Sequence, residues 1–159
     1  MQRKSWASSK CPMARSVDVI GDWGSLLILR EAFVGTTRFD DFQKKLDISR
    51  NLLTARLKKL VARGILKRRP IAEEARRHEY VLTDMGEDLL PTIIALRQWG
   101  DRWLFRPLPA PYGMFDAVDD TELEEIKVRS SQGREVHRID IRLRAPPKYK
   151  SSSKPRRRP

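Results

Sequence analysis

The sequence predicts a mainly α-helical fold with one small β-hairpin, followed by a hairpin-like extension and a disordered basic tail. Three observations lead to this prediction. Apolar residues recur at helical spacing over most of residues 12–104. Two short strand-like runs, 65–69 and 78–83, interrupt that pattern around a polar stretch of hairpin-loop length. The last 18 residues contain eight Lys/Arg, no acid and too few apolar residues to pack.

The first three helices are predicted from their apolar spacing and their end signals. Pro12 suits a first helical turn, and Gly21 ends the first apolar run. Asp22 can cap a second helix over residues 23–34. A short amphipathic helix then follows over residues 38–46.

The fourth helix is the most unusual segment of the chain. From Ser49 to Arg69 the sequence holds eight Lys/Arg and no Asp or Glu, yet its leucines keep helical spacing. Ser49 is predicted to cap this helix and Gly64 to end it. One face is apolar, and the opposite face is polar, cationic and interrupted by alanine. The apolar face carries Leu53, Leu57, Leu60 and Val61, and the opposite face carries Asn51, Ala55, Lys58, Lys59 and Ala62, flanked by Thr54 and Arg56.

This order of elements predicts a winged helix-turn-helix. The 38–46 helix and the tight connection before Ser49 form the helix-turn-helix, and the hairpin over residues 65–83 forms the wing. A last helix is predicted from residue 84 to residue 104, with a kink at Pro91.

Composition divides the chain into five parts. Residues 1–10 are expected to be a flexible N-terminus, and residues 11–106 a winged helix-turn-helix domain for DNA binding and dimerisation. Residues 107–125 form a linker, residues 126–145 a small β-rich extension around a Ser-Gln-Gly turn, and residues 146–159 a disordered basic tail.

The charge balance indicates a polyanionic partner. The formal net charge is +12 and the sequence pI is about 10.3, which favours nucleic acid over an anionic membrane. With no apolar run of membrane-spanning length, no signal-peptide pattern and a single cysteine, we expect a soluble cytoplasmic protein. The sequence has no nucleophile pattern, no Cys/His metal spacing and no phosphate-binding Gly-rich loop. We therefore expect no enzyme activity, no metal and no cofactor.

The fourth helix is the expected reading element for double-stranded DNA. Its polar side chains can contact base edges or phosphate, and its alanines allow close approach to a groove. The helix has no acidic residues four positions away that would relieve the repulsion among its cations, so we expect DNA to supply the counter-charge. Loss of Arg56 is expected to weaken binding to a specific site. The predicted DNA-binding residues are Arg38, Ser49, Arg50, Asn51, Thr54, Ala55, Arg56, Lys58, Lys59, Arg68, Arg69, Arg76 and Arg77. Sequence-independent binding to RNA or DNA remains open as an alternative.

Four segments in this order and spacing resemble the HxlR family of bacterial winged helix-turn-helix regulators. They are CP at residues 11–12, IGDWGSLLILREAFVGTTRF, DISRNLLTARLKKLVARGILKRR and HEYVLTDMGEDLLPTIIALRQWGDRW. The resemblance implies a homodimeric transcription factor that acts on a near-palindromic site. It implies recognition by the helix over residues 49–63 and a phosphate contact from Arg38.

A dimer is also expected from the residues themselves, since one recognition helix reads too few base pairs to single out a genomic site. The resemblance implies that the first and last helices pair between subunits. The predicted interface residues are Val17, Ile20, Leu96, Trp99 and Trp103.

Cys11 is a candidate redox sensor. It precedes a predicted helix N-terminus, where the helix dipole and the nearby Lys10 and Arg15 favour a reactive thiolate. The resemblance adds weight, because some HxlR members sense electrophiles or oxidants through a cysteine near this position. A switch would require a Cys11–Cys11 bond between subunits or an adduct with a small thiol. The alternative is a small buried residue at the dimer interface. The small-molecule effector is unknown.

Overall fold

The structure is a computed structural model that describes residues 5–71 and 77–143. Six helices and one antiparallel hairpin follow each other in the first part of the chain. Their bounds are α1 Pro12–Ile20, α2 Trp23–Phe33, α3 Phe39–Leu46, α4 Arg50–Ala62, β1 Leu66–Pro70, β2 His78–Leu82, α5 Asp84–Glu87 and α6 Leu90–Leu104. This order confirms the predicted winged helix-turn-helix.

Local hydrogen bonds explain where the helices begin. The Asp22 carboxylate accepts from the Ser25 backbone N–H at 2.9 Å and so caps α2, and the Ser49 hydroxyl accepts from the Leu52 N–H at 3.3 Å and caps α4. Asp47 adopts a left-handed conformation (φ 48°), which turns the chain sharply between α3 and α4. These contacts confirm both predicted caps.

The wing is a two-stranded sheet with Leu66 opposite Leu82 and Pro70 opposite His78. Its second strand also pairs with the chain just before α3, because the Tyr80 N–H donates to the Thr37 carbonyl at 2.8 Å. The wing is therefore fixed against the helix-turn-helix.

The core lies between α2, α3, α4 and the base of the wing. Its fully or nearly buried apolar residues are Ile20, Ile28, Leu29, Phe42, Leu53, Leu57, Leu60, Ile65, Leu66 and Ile93. Truncation of one such leucine to alanine typically costs about 2–5 kcal/mol. Because Leu53, Leu57 and Leu60 of α4 are all fully buried, they fix which face of that helix points towards the core.

The predicted single helix with a kink at Pro91 is wrong in detail, because the structure has two helices. Thr83 caps α5 through the Gly86 N–H at 3.2 Å, and Pro91 lies in the first turn of α6, where its missing N–H is tolerated. Gly86 packs so closely that a Cβ atom there would lie 2.3 Å from the Ile65 carbonyl oxygen. The break lets α5 pack under the wing before α6 begins.

The described residues divide into two units, one that ends at Ile126 and one that begins at Lys127. The predicted linker belongs to the first unit and is tied to α6. The Gln98 side chain donates to the Glu124 carbonyl and accepts from the Ile126 N–H, each at 2.9 Å. Residues 107–125 therefore extend the first unit.

Within residues 127–143, the second unit forms a hairpin-like turn. Gly133 has φ 82°, and the Val136 N–H donates to the Val128 carbonyl at 2.8 Å, across the turn. The predicted β alternation does not continue, since a short 3-10 turn spans Arg138–Asp140 and leaves Ile139 exposed. The predicted basic tail and the first four residues lie outside the described residues. Within residues 5–71 and 77–143, no helix combines the length and the apolar character needed to cross a membrane.

Candidate nucleic-acid interface

The outward face of α4 carries the polar line that the sequence predicts. Asn51, Ala55, Lys58 and Ala62 are exposed and lie three or four residues apart, so they form one line along the helix, which we call the outward stripe. Thr54, beside it, is half-buried. Because two members are alanine, the backbone of α4 can approach a major groove without steric obstruction.

A second line on α4 has a different environment. We call this line the flank stripe; it consists of Arg56, Lys59 and Arg63. It faces Asp18, which lies in α1, and Asp22, which caps α2. Arg56 Nε lies 2.7 Å from Asp22 Oδ1, and Lys59 Nζ lies 3.2 Å from Asp22 Oδ2. Arg63 Nη2 lies 3.5 Å from Asp18 Oδ2. The Arg56 contact is an ion pair at close distance without the alignment of a hydrogen bond.

These contacts give Arg56 and Lys59, which are predicted to contact DNA, an acidic partner within their own chain. Their side chains are only 30% and 24% exposed, and both charges are directed at a carboxylate that is 7% exposed. The sequence shows α4 as a helix without internal counter-charges, but the counter-charge comes from another part of the fold. Arg56 and Lys59 therefore form ion pairs within the fold, and their contact with DNA stays a prediction.

The electrostatics of Asp22 favour its charged form. Burial opposes ionisation, but hydrogen bonds from the Ser25 side chain and backbone, together with Lys59 and Arg56, outweigh it and hold the pKa of Asp22 below its usual value. The backbone hydrogen bond from Trp6 is the main cause that lowers the pKa of Asp18, with Arg63 adding to it. Both carboxylates are thus kept as counter-charges for the flank stripe.

A basic cavity of about 390 Å³ lies between the start of α3, the first turn of α4 and the wing. It is lined by Arg38, Phe39, Asp40, Arg50, Arg68, Arg77, His78 and Tyr80. Four arginines there face one aspartate, so the cavity suits an anion.

Two contacts order the walls of this cavity. The Arg50 guanidinium carbon lies 4.7 Å from the centroid of the Phe39 ring, a cation–π contact that leaves its N–H groups available. Arg68 Nη2 lies 3.0 Å from His78 Nδ1, which accepts because a guanidinium has only donors. Sequence reasoning predicted the arginines but missed His78 and Tyr80, whose side chains no helical or charge pattern marks.

Arg69, a predicted DNA-binding residue of the wing, forms an ion pair within the wing. Arg69 Nε lies 2.6 Å from Glu79 Oε1, and this hydrogen bond is the main cause that lowers the pKa of Glu79. The Arg69 side chain remains more than half exposed. Arg77 is exposed at the cavity, whereas Arg76 lies outside the described residues.

The predicted dimer residues fall into two groups. Val17, Leu96, Trp99 and Trp103 are 43%, 48%, 54% and 58% exposed. Ile20 is 9% exposed and packs in the core of its own chain. Ile20 therefore contributes to the core of its own chain, whereas the other four side chains are exposed.

Cys11 is exposed and stands at the N-cap position of α1. Its N–H donates to the Ser9 hydroxyl at 3.1 Å. The thiol is therefore accessible in the single chain, and both the redox-sensor role and the alternative of a buried residue at a dimer interface stay predictions.

An apolar cavity of about 270 Å³ between α2 and α6 was not predicted. Its walls include Leu27, Phe33 and Ile94, with Phe105 and Met114 from the segment after α6. Met114 lies outside any periodic pattern, so the sequence has no signal that places it there. In the part of the chain that the structure describes, no three His, Cys, Asp or Glu side chains converge as metal ligands.

Comparisons with known proteins agree with this geometry. The family model described as HxlR-like helix-turn-helix matches residues 19–107. An uncharacterized HTH-type transcriptional regulator of Mycobacterium tuberculosis (strain H37Rv) is 43% identical over 99 residues, which are 62% of this chain and 63% of that protein. The chain thus matches less than two thirds of the length of that relative.

Two solved structures are similar as well. PA1607, described as a candidate transcription factor, is 39% identical with a TM-score of 0.83, over 87% of this chain and 97% of that one. The redox regulator HypR in its oxidised form is 30% identical with a TM-score of 0.54, over 58% of this chain and 96% of that one. Since the family model spans more than half of the sequence, the chain belongs to the HxlR-like helix-turn-helix family.

Proposed function

We propose that the protein is a sequence-specific DNA-binding transcriptional regulator, and that it acts as a homodimer on a near-palindromic site. In this proposal α4 lies in the major groove, and the basic cavity and wing contact the sugar–phosphate backbone. The relatives are named as HTH-type transcriptional regulators, which is a non-enzymatic role.

The observation that carries the proposal is the outward stripe. Asn51 and Lys58 are side chains that pair well with adenine and with guanine or phosphate, and Ala55 between them leaves room for a base edge. Buried leucines on the opposite side hold the stripe outward. An exposed line of this composition on a helix-turn-helix is suited to direct reading of bases.

The basic cavity supports a phosphate contact beside the reading helix. Arg38, Arg50, Arg68 and Arg77 come from three separate elements and converge at one end of α4. Phosphate contacts of this kind position a helix in its groove but carry no sequence information. The cavity is therefore proposed to set the register of α4 on the duplex.

Homodimerisation is supported by the exposed apolar side chains of α1 and α6. Leu96, Trp99 and Trp103 recur at helical spacing on α6, and Val17 is exposed on α1. A second copy would cover this surface and double the number of base pairs that are read.

Selection of bound duplexes from a random library with purified protein tests the proposal. We expect enrichment of one near-palindromic sequence, whose half-sites lie about one helical turn apart. Equal recovery of unrelated duplexes, or equal binding to RNA, would instead identify a sequence-independent nucleic-acid-binding protein. The protein's mass in solution with and without the enriched duplex gives the stoichiometry.

A response to oxidants through Cys11 is proposed as a finer feature of the same function. It is supported by the exposure of the thiol and by the similarity to a protein named as a redox regulator. Running the selection with reduced and oxidised protein, and with Cys11→Ser, tests it. The proposal fails if an oxidant changes DNA binding of both proteins equally.

A further inference from the structure

The flank stripe and its two acids form a matched set of charges. Arg56, Lys59 and Arg63 are spaced three and four residues apart on α4, and Asp18 and Asp22 are spaced four apart ahead of α2. The three cations lie 2.7–3.5 Å from the two carboxylates. The set as a whole keeps only one net positive charge.

Asp22 is held firmly in place. Its side chain is 7% exposed, and it accepts from the Ser25 N–H at 2.9 Å and from the Ser25 hydroxyl at 2.7 Å. Gly24 leaves space for Arg56, since a Cβ atom there would lie 3.3 Å from Arg56 Cγ. The fold therefore presents a fixed carboxylate with room beside it for the guanidinium.

Binding to DNA of any sequence depends on how many phosphates a protein neutralises. The helix α4 and the next residue carry five cations, namely Arg50, Arg56, Lys58, Lys59 and Arg63. Three of them point at carboxylates of the same chain. Binding of those three to phosphate would require breaking ion pairs that are already formed.

We infer that Asp18 and Asp22 are specificity-determining residues, which hold the flank stripe away from phosphate so that recognition depends on the outward stripe. They act through Arg56, Lys59 and Arg63 and are positioning residues. The inference rests on the proposed function, because it presumes that α4 reads DNA. Its consequence is low affinity for unrelated sequences at a modest cost in affinity for the chosen site.

Asp22→Asn is the direct test. Asparagine caps a helix as well as aspartate does, so the variant keeps one oxygen acceptor for the Ser25 N–H. It removes the negative charge, and its NH2 group replaces the oxygen that accepts from the Ser25 hydroxyl and Lys59 Nζ. Asp88→Asn, at the exposed end of α5, is the matched control, since it changes the net charge equally. The measurement is the binding constant for the selected duplex and for a scrambled duplex at several salt concentrations.

We expect Asp22→Asn to bind the scrambled duplex about five- to tenfold more tightly at low salt, with a salt slope steeper by about 0.9 for each phosphate gained. The ratio of specific to non-specific affinity should fall by a similar factor, and Asp88→Asn should leave the ratio unchanged. Adding Arg56→Ala and Lys59→Ala to Asp22→Asn should restore the original slope, which a general loosening of the fold would not do.

The inference is overturned if Asp22→Asn, folded by circular dichroism, keeps the slope and the ratio of the original protein. If Asp22→Asn does not fold, Asp18→Asn takes its place, because it releases Arg63 and leaves the α2 cap intact. An unchanged slope and ratio in that variant would equally overturn the inference. A protein that never prefers the selected duplex refutes the proposed function instead, so the two failures are distinct.

Discussion

Lys58 and Lys59 are neighbours in the sequence, yet they belong to different surfaces of α4. Lys58 is exposed on the outward stripe, whereas Lys59 is 24% exposed with its Nζ 3.2 Å from Asp22 Oδ2. A rotation of about 100° around the helix axis separates them. The same side-chain type is therefore open to a partner molecule in one position and paired within the chain's own fold in the next. The role of a basic residue on a recognition helix thus depends on what the rest of the chain places opposite it.

The largest expected loss of DNA affinity follows from a substitution in the outward stripe. Lys58→Glu removes a cation from the proposed groove face and adds repulsion from phosphate, so we expect a loss of affinity for the selected duplex of about 100-fold. The free energy of unfolding should change by no more than about 0.5 kcal/mol, because the side chain is exposed.

Fluorescence anisotropy with the selected duplex measures the affinity of Lys58→Glu, and urea unfolding measures its stability. Lys10→Glu, on the exposed segment ahead of α1, carries the same change in net charge and serves as the control. Similar losses of affinity in the two variants would mean that net charge, and not the outward stripe, governs binding.

A substitution in the flank stripe should lower stability more than it lowers DNA affinity. Arg56→Ala leaves the nearly buried Asp22 carboxylate with one cation fewer and removes the packing of the arginine stem. We expect a loss of stability of roughly 1–3 kcal/mol. The reduction in DNA affinity should be smaller than that of Lys58→Ala.

Urea unfolding of Arg56→Ala beside Lys58→Ala makes this comparison on one helix. Equal stability of the two variants would show that the Arg56–Asp22 pair contributes nothing to folding, and the distinction between the stripes would then be lost.

The outward stripe and the flank stripe also show how much of the site the sequence could predict. The fold follows from local signals: the caps at Asp22 and Ser49, the leucine spacing of α4, and the strand-like runs of the wing. Those signals lie within a few residues of the elements that they set. The outward stripe was predicted for the same reason, because the wheel of α4 alone defines it.

The flank stripe depends instead on a contact across 37 residues of sequence, between Lys59 and Asp22. A helical wheel of α4 cannot include that contact, so the sequence alone does not predict the ion pairs of Arg56 and Lys59. The core packing of Ile20 is likewise not predicted from its spacing. Apolar spacing shows that a face is covered, but it does not show whether the same chain or a second copy covers it.

The smallest expected effect is the pH dependence of the flank stripe. The pKa values of Asp22 and Asp18 lie below the usual 3.8, so the folded chain binds fewer protons than the unfolded chain near that pH. Their contribution to stability is complete above the usual value and is lost as the pH falls through the lowered values in the fold. The free energy of unfolding of the original protein should therefore decline as the pH falls below about 4, and its advantage over Asp22→Asn should narrow there. Between about pH 6 and 8 that advantage should stay constant, because both carboxylates are fully ionised.

Urea unfolding of the original protein and of Asp22→Asn, from acid to pH 8, measures the difference in stability. A stability advantage that persisted undiminished in acid would mean that the charge of Asp22 does not hold the flank stripe in place.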